Sequence, residues 1–186
     1  MTTPPTVLVA SSVHIDEVRV MLRRLAEAGA TPSAGAERPR TWAILGELAV
    51  GDGLTENERV VEHDRLGRQI VRLAVDKTLC VGQSRAVRAL HQGTVMEGSW
   101  GDEVRMVATV DEARDLLTSD DWRPGPGDVV LLAAEEPGIA ELATLWPVRD
   151  DISGDGAEDE TTERENIAHE GMGDGPSSMS TTGTNE

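Results

Sequence analysis

Thr78-Leu79-Cys80-Val81-Gly82-Gln83-Ser84-Arg85-Ala86-Val87-Arg88-Ala89-Leu90 is the stretch that decides the fold. A four-residue apolar run, Thr78 to Val81, has the length and character of a covered strand. Gly82 breaks it, and Ser84 to Leu90 reads as a helix after the turn. Strand, glycine turn and helix in immediate succession form half of a βαβ unit, and the same grammar recurs on either side.

Upstream, Thr6 to Ala10 is an apolar run of strand length, with Ser11 and Ser12 behind it as candidate helix caps. Ile15, Val18, Leu22 and Leu25 follow at helical spacing, with Asp16 and Glu17 where the helix dipole favours them and Gly29 as a natural stop. Residues 30–40 read as a loop, and Trp42 to Leu45 as a second strand. Thr55-Glu56-Asn57-Glu58 is a Thr-x-x-Glu capping box that opens a helix. The stripe predicted to be buried on that helix is His63, Leu66, Gly67, Ile70, Leu73 and Ala74.

Downstream, residues 91–104 read as a loop, Arg105 to Thr109 as a fourth strand and Asp111 to Leu117 as a helix. Pro124-Gly125-Pro126-Gly127 is a turn, Asp128 to Ala133 a fifth strand, and Pro137 to Leu145 a last helix. Five strand–helix repeats predict an α/β fold with a Rossmann-like, doubly wound, mainly parallel sheet. The expected organisation is a flexible N-terminus at 1–5, a domain over 6–149 and an acidic, disordered tail at 150–186.

Composition narrows the function classes. The 186 residues carry a net charge of −17, with no Phe, no Tyr and four Trp. Eleven acidic residues fall in 150–186 against the single base Arg164. An acidic surface disfavours nucleic acid and anionic membrane as partners. Cys80 is the only cysteine, which excludes an internal disulfide and fits a reducing compartment. With no signal-peptide pattern after Met1 and no long apolar span, a cytoplasmic location is expected. His14, His63, His91 and His169 show no metal-ligand spacing, so no metal is expected. His63 on its apolar stripe is read as a packed, hydrogen-bonded histidine, and Cys80 as an inert buried thiol.

Four segments carry a resemblance. They are Arg40-Thr41-Trp42-Ala43-Ile44-Leu45-Gly46-Glu47-Leu48, Glu62-His63-Asp64-Arg65-Leu66-Gly67-Arg68, the run from His91 to Glu103, and Pro126-Gly127-Asp128-Val129-Val130-Leu131-Leu132. Together they resemble the C-terminal domain of the Mur ligase family, in the actinobacterial form of its D-alanyl-D-alanine-adding branch. The resemblance covers residues 6–146 and implies a fold that, in a three-domain enzyme, closes over nucleotide and presents the incoming dipeptide.

The family's other two domains have no counterpart here. No Gly-x-x-x-x-Gly-Lys-Ser/Thr occurs, and Lys77, the only lysine, has no glycine-rich loop before it. Where the resemblance implies an Asn-x-Asn-Pro-x-Ser type motif, this chain has Ser12-Val13-His14-Ile15-Asp16-Glu17. Where it implies Lys-Gly-Ser-Arg, this chain has Ala133-Ala134-Glu135-Glu136. Exchanging two cations for two anions reverses the sign of interaction with a phosphate or carboxylate.

By family register the candidate contact residues are Ser12, His14, Asp16, Glu47 and Arg85, the last in the Gly82-Gln83-Ser84-Arg85 turn whose N–H groups could hold an anion. No catalytic residue is assigned. The expected role is a stand-alone, non-catalytic interaction or regulatory module whose partner is a Mur ligase or another cell-wall synthesis protein. The alternatives are the third-domain subunit of a split ATP-dependent ligase, which alone would bring in ATP and magnesium, and a small-ligand binder.

Overall fold

Covered strands need helices on both sides, and the chain supplies them in turn. The computed structural model describes residues 4–30, 38–99 and 101–146, all within one unit, Met1–Asp150. Its elements are β1 (Thr6–Val9), α1 (Ile15–Ala30), β2 (Thr41–Leu45), α2 (Glu56–Arg72), β3 (Lys77–Val81), α3 (Arg85–Glu97), β4 (Val104–Val107), α4 (Val110–Thr118), β5 (Val129–Ala133) and α5 (Pro137–Glu141). Short 3₁₀ turns occupy Gly101–Glu103 and Leu142–Leu145. Expectations for residues 1–3, 31–37, Trp100 and 147–186, the acidic segment included, lie outside the described residues.

The sheet order is β1-β5-β2-β3-β4, and every pairing is parallel. The sheet is therefore all-parallel rather than mainly so. Period-2 alternation divides its side chains between two cores. Val129, Leu131 and Ala133 of β5 pack with α1, α2 and α3 through Leu22, Leu25, Leu66, Ile70 and Leu90. Val130 and Leu132 pack on the opposite face with Leu117 of α4, Ile139 of α5 and the indoles of Trp42, Trp122 and Trp146. Trp42 and Trp122 meet edge to face, 5.7 Å between centroids. Lys77 and Arg105 each lie 5.1 Å from the Trp122 ring and so shield it with cations. In a chain without Phe or Tyr, these indoles supply the bulk that fills the second face.

Two buried polar groups fix the strand ends. The Asp128 carboxylate accepts from the backbone N–H of Arg40 (3.1 Å), the Arg40 guanidinium (3.0 Å), the Trp42 indole N–H (3.0 Å) and the Gly125 N–H (2.8 Å). This explains an aspartate directly before an apolar strand. His63 donates from Nδ1 to the Arg59 carbonyl (2.8 Å) and accepts at Nε2 from the Leu48 N–H (3.1 Å), so the ring is the neutral Nδ1–H tautomer. It is fully buried and structural, as its place on the α2 stripe predicts.

Helices α2 and α3 cross on glycine. A Cβ on Gly67 would sit 3.0 Å from Thr94 N and 3.1 Å from the Leu90 carbonyl carbon, with the Leu90 oxygen nearer still. A Cβ on Gly93 would meet the Asp64 backbone in the same way. Backbone meets backbone here with no side chain between.

This crossing corrects the reading of 91–104 as a loop. The helix begun at Ser84 runs on to Glu97 and ends at Gly98, φ 124°, because Gly93 is the contact surface of a helix and not its breaker. Gly29 lies in the last turn of α1, against Thr41, one residue before the helix's last described residue, Ala30. Ser11 and Ser12 do not cap α1. Its first N–H, on Ile15, donates to the Ala49 carbonyl at 2.8 Å, and the Asp16 N–H donates to His14 Nδ1 at 3.3 Å. Leu73 and Ala74 fall outside the α2 stripe, Leu73 as the C-cap residue and Ala74 at φ 55°. The last predicted helix is α only to Glu141 and continues as 3₁₀.

Candidate functional site

Helix α3 leaves β3 toward one face of the sheet, and α4 leaves the adjacent β4 toward the other. Diverging connections of this kind open a crevice beyond the carboxyl ends of the strands. A cleft of about 420 Å³ lies there, lined by Glu47 after β2, Val81 to Ser84 and Val87 from β3 and α3, Ala108 to Val110 at the start of α4, and Glu136 before α5.

The local sequence explains each wall. Gly82 takes φ 129°, a conformation that a side chain rarely tolerates, and turns the chain into α3. The Ser84 hydroxyl accepts from the Val87 N–H at 3.2 Å and caps that helix. Opposite, the Thr109 hydroxyl accepts from the Glu112 N–H at 3.2 Å, while the Glu112 carboxylate accepts from the Ala108 N–H at 2.7 Å. Both hydroxyls are thus engaged as caps. The floor is apolar, with Val81 and Val87 buried. Among the described residues the charged lining is Glu47 and Glu136, with no Lys or Arg. Arg59 reaches Glu47 from outside at 3.2 Å. Glu136 accepts a long 3.4 Å bond from the Gly138 N–H.

The five candidate residues separate. Glu47 is in the cleft. Arg85 is beside it but turns away, donating to the Asn57 side chain at 3.2 Å. Ser12, His14 and Asp16 gather at the β1–α1 turn and bond among themselves and to Arg19. The Ser12 hydroxyl accepts from the His14 N–H (3.2 Å), and Asp16 pairs with Arg19 at 2.7 Å. None of the three lines the cleft. The residues before α4 were missed as site residues. Their signal was Thr109-Val110-Asp111-Glu112, a second Thr-x-x-Glu pattern directly after a strand.

A second groove of about 360 Å³ lies on α2, lined by Leu54, Asn57, Glu58, Val61, Glu62 and Arg65. The Arg19 guanidinium, 2.7 Å from Glu62, holds that carboxyl below its ordinary range. Cys80 is far from chemistry, since burial pushes its thiol up to about 12. Among the described residues no group of three His, Cys, Asp or Glu could hold a metal ion, and no helix is long and apolar enough to cross a membrane.

No protein-family model matches the chain. Among curated proteins it is similar to the UDP-N-acetylmuramoyl-tripeptide–D-alanyl-D-alanine ligase of Mycobacterium leprae, 43% identical over 120 residues, covering 63% of this chain and 20% of that protein. The ligases of the same name from Mycobacterium bovis and Mycobacterium tuberculosis are 36% identical over 158 residues, covering 78% of this chain and 29% of each. The chain thus spans less than a third of the length of the curated relatives it matches.

Proposed function

This chain carries a domain of the Mur ligase family, and from that premise we propose that it serves peptidoglycan precursor synthesis as an interaction or regulatory module without catalysis of its own. The observation that carries the reading is the charge of the cleft. The crevice where an α/β sheet takes its ligand is kept, yet its charged lining is two carboxylates. A nucleoside triphosphate is held largely by cations, and no Lys or Arg is among the described residues that line the cleft. The register of Ala133-Ala134-Glu135-Glu136 against the family's Lys-Gly-Ser-Arg type motif supports the same conclusion. The partner is a Mur ligase or another protein of cell-wall synthesis.

Isothermal titration tests it, with the purified chain against ATP–Mg²⁺, D-alanyl-D-alanine and UDP-muramoyl-tripeptide, and then against the host's full-length ligase. We expect no heat from the small molecules and a measurable affinity for the ligase. Binding of ATP–Mg²⁺ by the chain alone would sink the reading. A second reading, a third domain that completes a ligase site supplied by another polypeptide, is supported by the 36–43% identity to ligases of that name. There ATP and magnesium would be held by the other polypeptide. With ATP–Mg²⁺ and UDP-muramoyl-tripeptide present, phosphate release that appears only when both polypeptides and D-alanyl-D-alanine are mixed would establish it.

A further inference from the structure

We infer that the carboxyl-edge cleft receives a cationic side chain, lysine or arginine, from a partner polypeptide. The inference rests on the interaction-module reading and names the chemistry by which this site would engage its partner.

The cleft is built for a group with an aliphatic stem and a charged head. Its floor is Val81, Val87, Ala108 and Val110, and its anionic residues are Glu47 and the exposed Glu136. Lysine and arginine bury their methylene stems on apolar surface and keep the charge at the polar margin. The two carboxylates are not equivalent. Arg59 already neutralises Glu47. Glu136 makes no ion pair among the described residues and holds only the long bond from the Gly138 N–H, so it is the open partner for an incoming cation.

The amino ends of α3 and α4 pull the other way, since each presents about half a positive charge. The Ser84 cap takes one N–H of α3, that of Val87, and α4 has the Thr109 cap with Asp111 and Glu112 in its first turn. A full carboxylate charge beside two capped half-charges leaves the cleft anionic. An alternative occupant, a phosphate held by those helix ends, is thereby disfavoured and becomes an outcome of the test.

Two-dimensional amide NMR of the full chain at low salt distinguishes them. The probes are N-acetyl-lysine methylamide, N-acetyl-arginine methylamide, the neutral isostere N-acetyl-norleucine methylamide and inorganic phosphate. The cationic probes should shift the amides of Gly82, Gln83, Thr109 and Val110, binding at least about tenfold more tightly than the norleucine compound. Glu136→Gln, a change at an exposed side chain, should abolish that preference and leave the remaining spectrum intact. Equal binding of the norleucine probe, an unchanged preference in Glu136→Gln, or shifts produced by phosphate in place of the cations would each overturn the inference. The host ligase separates the two levels of the argument. If it binds Glu136→Gln as tightly as the parent, the cleft is not its contact and the module reading stands. If it binds neither protein, the expectation of a ligase partner fails, while the probe result still decides the inference.

Discussion

Gly67→Ala tests the closest packing in the molecule. On an isolated helix this substitution would favour α2 by about 1 kcal/mol, because alanine loses less chain entropy than glycine. In the folded protein the new methyl would lie 3.0 Å from Thr94 N and 3.1 Å from the Leu90 carbonyl carbon, with the carbonyl oxygen closer. Ordinary heavy-atom contact needs about 3.5–4.0 Å, so the helices must part by roughly 1 Å. The obstacle is backbone, which cannot rotate aside as a side chain would. Overpacking of this kind costs about 1–3 kcal/mol, and an immovable partner puts the cost at the upper end. Subtracting the propensity gain leaves a net loss of roughly 1–2 kcal/mol. With a urea m-value of about 2 kcal/mol/M, the midpoint should fall by about 0.5–1 M at unchanged m. Gly93→Ala should do the same from the other helix, and the double variant should cost less than the sum, because one separation relieves both clashes. Gly51→Ala, whose Cβ would meet nothing within 4 Å, is the control and should be near neutral. A Gly67→Ala protein as stable as the parent would show that the crossing is looser than described and refute the reasoning.

Three further outcomes follow from buried groups. His63→Ala removes the acceptor of the buried Leu48 N–H and leaves a cavity; it should cost about 2–4 kcal/mol by urea titration, and a loss under 1 kcal/mol would argue against the bond. Asp128→Asn replaces one of two acceptor oxygens by a donor facing Arg40, Trp42 and Gly125; a loss of about 2–4 kcal/mol is expected, and thermal unfolding followed by indole fluorescence would contradict it by an unshifted midpoint. The Cys80 thiol, raised from 9.0 to about 12 by desolvation, should ignore a disulfide reagent at pH 8 until the protein unfolds. Because the folded value exceeds the unfolded one, its contribution to stability is intact below pH 9 and is lost as the pH rises toward 12; rapid labelling of the native chain would disprove its burial.

Much of the fold was legible because strands and turns announce themselves locally. The runs at Thr78–Val81 and Asp128–Ala133 have strand length, and the Thr55 capping box marked the start of α2 to within one residue. The main misreading lay at residues 91–104, where the local pattern gives few helix signals and Gly93 finds its use only against Asp64, a partner brought close by the fold. Spatial partnership of this kind leaves no trace in local pattern. The candidate site was legible in its location and partly in its residues. Glu47 and the Gly82-Gln83-Ser84 turn line the cleft. Arg85 is diverted by Asn57, and Ser12, His14 and Asp16 satisfy one another at a neighbouring turn. Register along a strand end gives proximity to a crevice, but the local hydrogen bonds decide which side chains enter it.

The strand order has a consequence for how the chain is made. Among the described residues β1 has a single neighbour in the sheet, β5: Thr6 pairs with Val129 and Val9 with Leu132. β5 also separates β1 from β2. On the ribosome, therefore, the opening segment waits without its hydrogen-bonded neighbour while more than a hundred residues are added. β2, β3 and β4 can associate as they emerge, but the sheet closes only when Val129–Ala133 inserts between two strands already synthesised. Closure over so long a loop is slow relative to local pairing, and until it occurs the edge of β2 and the whole of β1 are open to wrong partners. A chain that stops before residue 129 should accordingly be held by chaperones or cleared, and one that runs through Trp146 supplies both β5 and the side chains that cover its second face.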